Sequence, residues 1–211
     1  MMHKSKSLLI ATILSTTTLM ANEVNPIIQI AYDFGGSTLA TVERYDNYSG
    51  SYEESKIRSG QGLNLEIGAT ATDDRKEFEL QVLIGYKFDS ENAENGSVTW
   101  DNIPLTTLAM IRKNRWKLGG GLTYHLNPTL SGSFTGYDEN NKYFKDAVND
   151  EYENALGAIV QVQYQVADNI AMGVRGTFIE YKLKNDPSNV TNGDSIGLNL
   201  TYTFGQRSRF R

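Results

Sequence analysis

The segment from Ser195 to Phe204 alternates strictly between apolar and polar residues. Its apolar positions are Ile196, Leu198, Leu200, Tyr202 and Phe204, and its other positions are Gly197, Asn199, Thr201 and Thr203. A period of two is that of a β-strand, because successive side chains of a strand point to opposite faces. The segment therefore predicts a strand that separates an apolar environment from a polar one.

Seven further segments show an amphipathic pattern of similar length. With the last strand they lie near residues 28–34, 62–70, 78–88, 104–112, 116–126, 156–166, 170–178 and 195–204. The fourth fits either register, and Pro104 is expected at its first residue, where a missing N–H is tolerated. A chain that spans a membrane without an apolar helix must close its strands into a barrel. The sequence thus predicts an all-β fold, a closed antiparallel eight-stranded up-and-down transmembrane β-barrel.

The N-terminus has the layout of a secretory signal peptide. Lys4 and Lys6 precede an apolar stretch from Leu8 to Leu14, and Ala21 ends a plausible cleavage site. We expect a signal peptide at 1–21, a barrel at 22–204 and a short basic tail at 205–211. The alternative for the first segment is a buried N-terminal helix.

Charge and composition exclude several classes of function. The chain has 20 basic and 25 acidic residues, and its formal charge of −5 becomes −7 when Lys4 and Lys6 are removed. This balance argues against nucleic acid as a partner, because phosphates require a basic surface. The chain has no cysteine, and His125 is its one histidine beyond residue 21. Ordinary zinc spacing is therefore absent, and we expect no metal and no cofactor.

The connections between the predicted strands alternate in length. Those after the second, fourth and sixth strands are short, and the others are longer and polar. In outer-membrane barrels short turns lie in the periplasm and long loops outside the cell, so both termini are expected in the periplasm. Aromatic residues fall into two sets that predict girdles at the two membrane interfaces. One set includes Phe78, Trp116, Tyr164, Tyr202 and Phe204, and the other includes Tyr32, Phe34, Tyr86, Phe88, Tyr124 and Phe178.

The opposite face of the strands is polar and predicts a filled lumen. An eight-stranded barrel has room inside only for its own side chains. We expect a polar network built on Glu66, Glu79, Lys87, Lys117 and Arg175. Because unpaired buried charges are costly, Arg175 and Lys117 are expected to pair with Glu66 and Glu79. The alternatives are a narrow ion path and a soluble barrel with its apolar residues inside.

On these features the chain resembles the small eight-stranded outer-membrane proteins, the W-type, X-type and A-type transmembrane barrels of Gram-negative bacteria. The resemblance covers 22–204 and includes the terminal segment 199–204. It implies an outer-membrane location, contact with outer-membrane lipids and lipopolysaccharide, and recognition of Tyr202 and Phe204 by the barrel-assembly machinery. The chain departs from the pattern by continuing as 205–211, where many members end on the aromatic residue.

The resulting functional hypothesis is a monomeric, non-enzymatic barrel with a structural or surface-interaction role. An extracellular ligand could bind the loops at 37–60 and 127–152, where Tyr45, Tyr48 and Tyr52 and the aromatic residues of the acidic segment 137–152 are candidates for contact. One alternative is a narrow channel or a W-type transporter of small hydrophobic molecules. Another is a lipid A-modifying enzyme, which would have to use His125. The absence of a serine two residues after His125 and its predicted lumen position argue against that enzyme.

Overall fold

The computed structural model describes residues 23–46, 51–93, 96–137 and 143–205. The predicted signal peptide and residues 206–211 of the predicted tail lie outside these ranges. In the described part of the chain there is no helix long and apolar enough to cross a membrane. The strands are β1 (Glu23–Gly35), β2 (Thr38–Asp46), β3 (Ser51–Arg58), β4 (Gly62–Thr72), β5 (Phe78–Ala93), β6 (Gly96–Lys113), β7 (Trp116–Tyr137), β8 (Tyr143–Glu151), β9 (Ala155–Ala167), β10 (Ile170–Phe178), β11 (Glu180–Lys182), β12 (Val190–Asn192) and β13 (Ser195–Thr203).

Eight of these strands form a closed wall. Their order is β6, β5, β4, β1, β13, β10, β9 and β7, and β7 pairs again with β6. Each neighbouring pair is antiparallel, and β1 closes on β13 with Ile28 opposite Tyr202. Sequential strands are therefore neighbours around the ring. This order confirms the predicted closed, eight-stranded, up-and-down β-barrel.

One end of the barrel is closed by short turns, as predicted. Residues 73–77 join β4 to β5, residues 114–115 join β6 to β7, and residues 168–169 join β9 to β10. Asn114 adopts a positive φ of 57° in the tightest of these turns. Asparagine tolerates this left-handed conformation better than most residues, which fits it to a two-residue turn.

The fourth wall strand differs from its prediction. β6 begins at Gly96, so Pro104 lies inside the strand, and the prediction that Pro104 is its first residue is wrong. The register of β6 against β7 shifts between Asp101 and Ile103, directly before the proline. Such an irregularity is one of the few places where a strand accommodates a residue without an N–H. The sequence could not assign the β6 side chains to a face. In the structure Leu108 faces the lumen and is buried, and Ile111 faces outward and is exposed.

The opposite end carries strand structure where the sequence predicts loops. β7 continues past the wall and pairs with β8 from Thr129 opposite Glu151 to Tyr137 opposite Tyr143. Most of 127–152 is therefore a β-hairpin rather than an irregular loop, because pairing satisfies its backbone donors and acceptors. Two smaller hairpins, β2 with β3 and β11 with β12, stand beside it. Residues 47–50 and 138–142 of these connections lie outside the described ranges.

Candidate functional site: the lumen and the outer cap

The lumen is lined by polar side chains that are almost completely buried. The inward set contains Asp33, Asn64, Glu66, Glu79, Gln81, Lys87, Lys117, Thr123, His125, Gln161, Gln163, Arg175, Asn199 and Thr201. All of them occupy the lumen face that strand alternation assigns to them. Among them are the five charged residues of the predicted network.

Arg175 and Glu66 form an ion pair near the middle of the lumen. Arg175 Nη1 lies 2.8 Å from Glu66 Oε2, and Arg175 Nε donates to Gln161 Oε1 at 2.9 Å. Gln29 Nε2 donates to the same Glu66 oxygen at 2.6 Å, and Thr106 Oγ1 donates to Glu66 Oε1 at 3.2 Å. The carboxylate is thus held by one cation and two neutral donors, which offsets its loss of hydration.

A second ion-pair group lies toward the short-turn end. Lys117 Nζ is 2.8 Å from Glu79 Oε2, and Arg112 Nη2 is 2.9 Å from the same oxygen. Gln81 Nε2 donates to Glu79 Oε1 at 2.7 Å. The sequence did not indicate Arg112, because the register of its strand could not be assigned.

The third pair lies at the opposite end of the lumen. Lys87 Nζ is 2.8 Å from Asp33 Oδ2 and donates to the Gly60 carbonyl at 2.7 Å. Gly60 belongs to the connection between β3 and β4. Lys87 therefore ties the outer end of the lumen to the structure above it.

Neutral side chains link strands on opposite sides of the ring closure. Gln163 Nε2 donates to Asn199 Oδ1 at 3.1 Å and to Thr201 Oγ1 at 2.8 Å. Thr201 Oγ1 in turn donates to Gln29 Oε1 at 2.8 Å. These bonds join β9, β13 and β1 to the Glu66 group, so the network runs continuously across the lumen.

Glycines on the inner wall leave the space that these side chains occupy. A Cβ on Gly85 would lie 2.6 Å from Glu66 Cγ, and one on Gly173 would lie 2.7 Å from Gln163 Cγ. Both distances are shorter than van der Waals contact. At both positions an added Cβ would force its neighbours to shift, so the inner wall has little spare room there.

Above the lumen, an apolar cluster closes the outer end of the barrel; we call it the outer cap. Its buried members are Val42, Ile57, Val98, Trp100, Leu130, Tyr152, Ala155, Ile179 and Tyr181. The rings of Tyr152 and Tyr181 each lie 5.2 Å from the Trp100 ring in edge contacts. All four outer connections contribute, so the outer cap is one packed unit rather than four separate loops.

Hydrogen bonds to one backbone carbonyl join the first outer connection to the last. Ser59 Oγ donates to the Asn192 carbonyl at 2.5 Å, and Ser37 N donates to the same carbonyl at 2.8 Å. These two bonds to Asn192 join the β2–β3 and β11–β12 hairpins at the outer end of the barrel. Within the last connection, Ile179 N donates to Asp194 Oδ1 at 2.9 Å.

His125 connects the lumen to the outer cap. Its Nδ1 lies 2.7 Å from the Tyr181 hydroxyl, and both side chains are buried. Burial raises the pKa of the Tyr181 phenol well above its ordinary value. In the described part of the chain, no group of three or more His, Asp and Glu side chains is placed to hold a metal ion.

The predicted aromatic loop surface is corrected in part. Tyr152 is packed inside the outer cap and is 6% exposed, so it is not available for recognition. Tyr45 and Tyr52 are paired across β2 and β3, and Tyr48 lies outside the described residues. The sequence missed the outer cap because its members come from separate connections and share no period.

The outer face of the wall is an apolar belt. Exposed apolar residues include Ile28, Ile30, Leu65, Ile67, Ile84, Leu118, Leu122, Val160, Met172, Val174, Leu198 and Leu200. Between the two aromatic sets, the outward side chains of the described wall strands include no charged group. The belt thus surrounds the charged lumen, which is the reverse of a water-soluble barrel.

Aromatic side chains border the apolar belt at both ends. Near the short turns, Trp116 and Tyr164 lie 4.9 Å apart, and Tyr202 and Phe204 lie 4.8 Å apart. At the other end the paired rings are Tyr32 with Phe34 at 4.8 Å and Tyr86 with Phe88 at 5.7 Å. Phe78 is exposed at the short-turn end, and Tyr124 is half-buried at the outer end.

The chain is similar in structure to two proteins of known structure. Ail, the attachment invasion locus protein of Yersinia pestis, matches at 14% identity and a TM-score of 0.48, over 88% of this chain and 100% of that one. The same protein in complex with the heparin analogue sucrose octasulfate matches at 11% identity and a TM-score of 0.46, over 86% and 97%. Neisserial surface protein A (NspA) matches at 14% identity and a TM-score of 0.46, also over 86% and 97%. No protein-family model and no curated protein matches the chain.

Proposed function

We propose that this chain is an integral outer-membrane β-barrel, non-enzymatic and closed to flow, that presents a folded outer cap at the cell surface. The proposal rests on which side chains of the wall face the lumen and which face outward. Charged side chains are buried and paired inside the ring, and the outward side chains form the apolar belt. A barrel with this distribution matches hydrocarbon outside and polar groups inside.

Energetics favour a membrane over water around the barrel. Ile67, Leu118 and Leu198 are each more than 60% exposed, and they belong to a belt that encircles the molecule. The largest apolar patch on a soluble monomer is about 300–600 Å². A continuous belt of exposed aliphatic residues is therefore costly in water and favourable against acyl chains.

The aromatic borders and the connection lengths support an orientation. The short turns and both ends of the described barrel lie together, and the outer cap lies at the other end. We place the short turns in the periplasm and the outer cap outside the cell, in contact with lipopolysaccharide at the outer aromatic border. Tyr202 and Phe204 lie together on the outer face of the last strand, where the barrel-assembly machinery could contact them.

The lumen supports a closed barrel rather than a channel. Three ion-pair groups cross it at different heights, and the apolar cap core covers its outer end. An ion entering the lumen would have to displace these pairs in a low-dielectric interior. The same packing supports a structural role for His125, whose partner is the Tyr181 hydroxyl rather than a serine and a carboxylate.

Cysteine labelling tests location and orientation together, because the native chain has no cysteine. Three single variants are informative: Val190→Cys on the outer cap, Asp74→Cys in a short turn and Leu198→Cys in the apolar belt. In intact cells a membrane-impermeant maleimide should label Val190→Cys alone. Permeabilising the outer membrane should expose Asp74→Cys, and Leu198→Cys should stay unlabelled while the protein is embedded. Labelling of Leu198→Cys in intact membranes, or of Asp74→Cys before Val190→Cys, would contradict the proposal.

Planar-bilayer recording tests closure. The purified full chain should give no large and stable conductance, because the ion pairs and the outer cap block the lumen. A matched variant with Trp100→Ala and Tyr181→Ala opens the outer cap and leaves the ion pairs unchanged. If that variant is also silent, the ion pairs alone close the lumen. Stable conductance from the unmodified protein would instead favour the channel.

A further inference from the structure

A groove interrupts the apolar belt on the outer face of β9, β10 and β13. Its volume is about 550 Å³, and its lining includes Gly176, where the wall has no side chain. Gly176 lies between Val160 and Ile196 in the register of the neighbouring strands. Phe34, Leu118 and Phe178 also line it, and the Phe178 ring would lie 3.8 Å from a Cβ at residue 176. The lining is almost entirely apolar, so the groove fits an alkyl chain.

A polar pocket of about 590 Å³ continues the groove toward the outer cap. The two share Phe178 and Asp194, so they adjoin at these residues, and we call the groove and the pocket together the depression. Glu153, Glu180 and Asp194 line the pocket with three carboxylates, and Lys182 contributes the single cation of its lining. The pocket is therefore net negative, next to an apolar groove.

We propose that this depression binds one amphiphile with an alkyl chain and an ammonium headgroup. The chain lies over Gly176, and the ammonium lies among the carboxylates above Phe178. Charge decides the class of headgroup, because a phosphate or carboxylate would meet three like charges and a cation is attracted. The inference rests on the membrane location proposed above, since that location brings amphiphiles to this face of the wall.

Photo-crosslinking with two matched probes tests the inference. The probes are dodecylamine and dodecanoic acid, each with a diazirine on the same carbon of the chain, added to the full-length protein in neutral detergent at pH 7. Crosslinked peptides are then identified by mass spectrometry. The amine probe should label the peptide that contains Gly176 about fivefold more than the acid probe. Equal labelling by the two probes would overturn the proposed headgroup preference.

Two variants with matched controls separate the groove from the pocket. Gly176→Leu should lower amine labelling about tenfold by filling the groove. Ala109→Leu adds the same bulk to the apolar belt on β6 and should leave labelling unchanged. Glu153→Gln with Glu180→Gln should bring the two probes to equal labelling, whereas Asp74→Asn with Glu77→Gln in a short turn should not.

The test needs a variant that still assembles, and Gly176→Leu is expected to do so. The Cβ of residue 176 would lie 3.2 Å from Val160 Cγ2, the end of a side chain that can shift. If Gly176→Leu does not assemble, Val174→Phe narrows the same groove without changing the glycine. Unchanged labelling in whichever of these variants assembles overturns the site. A chain that dissolves without detergent would contradict the membrane proposal, which is a different result from loss of labelling at Gly176.

Discussion

At the residue scale, two buried carboxylates of the lumen, those of Glu66 and Glu79, each have more than one donor. Glu66 is bound by Arg175, Gln29 and Thr106, and Glu79 by Lys117 and Arg112, with Gln81 as a further donor. Removing Arg175 therefore leaves a Glu66 charge that is still hydrogen-bonded but no longer neutralised, whereas Glu79 keeps one cation when the other is removed. The cost of that change is the clearest measure of what the network contributes.

Arg175→Gln should destabilise the barrel by about 3–5 kcal/mol, because Glu66 is then a buried charge without its cation. The double variant Glu66→Gln with Arg175→Gln should recover most of that loss, since neither of these two positions then carries a charge. Urea unfolding in lipid vesicles, followed by tryptophan emission, measures both. Equal losses in the single and the double variant would show that the pair contributes packing rather than charge compensation.

Two glycines of the wall allow a matched comparison of the room for a Cβ on the lumen face and on the outward face. Gly85→Ala places a Cβ 2.6 Å from Glu66 Cγ, and Gly120→Ala places one on the outer face with its nearest atom 3.3 Å away. We expect a loss of about 1–3 kcal/mol for the inner variant and a much smaller change for the outer one. The same unfolding measurement ranks them, and the reverse order would show that the lumen is not fully packed.

The inward residues could be predicted from the alternation of side chains along a strand. Once the face of one side chain is known, the faces of all the others in that strand follow. Glu66, Lys117 and Arg175 follow directly from that phase. Arg112 could not be assigned, because 105–111 is apolar or small on both faces. The structure resolves it by burying Leu108 and Met110 against Ile159 inside the lumen, an apolar contact that no alternation pattern predicts.

At the scale of elements, the outer connections behave as one folded unit. Three hairpins and the extended ends of β5 and β6 surround the Trp100 cluster. The sequence predicts where these connections lie and that they are long, but not that they pack together. Contacts among Val42, Leu130 and Ile179 join positions far apart in the chain, and such contacts leave no local pattern.

Trp100→Ala should open the outer cap and leave the wall intact. Truncating a buried tryptophan costs about 3–5 kcal/mol, and this cost falls on the outer cap because Trp100 contacts Tyr152 and Tyr181 there. Protease added outside vesicles should then cleave within β2, β3 or β12 while the wall fragments stay paired. Val190→Ala, an exposed position on β12, is the control. Unchanged cleavage in Trp100→Ala would show that the hairpins hold their places without the shared core.

Alkaline pH should loosen the same unit. Burial raises the pKa of Tyr181 in the folded state above its ordinary value of 10.0, so ionisation favours the open form. The contribution of Tyr181 is therefore complete below pH 10 and is lost as pH rises beyond it. In a Trp116→Phe background, Trp100 emission should shift to longer wavelength above pH 10. Adding Tyr181→Phe should reduce that shift, and an equal shift in both would assign it to another group.

At the scale of the whole molecule, the barrel is polar inside and apolar outside. This arrangement follows from the two-residue period of seven of the eight wall strands, and β6, whose sequence fits either register, takes the same phase in the ring. The closure of β1 on β13 fixes that phase, because a shift of one residue would turn the Leu198 face inward and the Asn199 face outward. The last strand therefore constrains the whole ring.

Leu198→Lys tests this arrangement in the assembled protein. Leu198 is 61% exposed in the middle of the last strand, and a lysine there would face hydrocarbon. The expected cost is about 2–4 kcal/mol at the membrane centre and should be smaller for the same change nearer an interface. Val190→Lys, exposed on the outer cap, should be close to neutral because its side chain meets water. Unfolding in lipid vesicles compares the two, and equal stabilities would show that the belt faces water, which would contradict the membrane location.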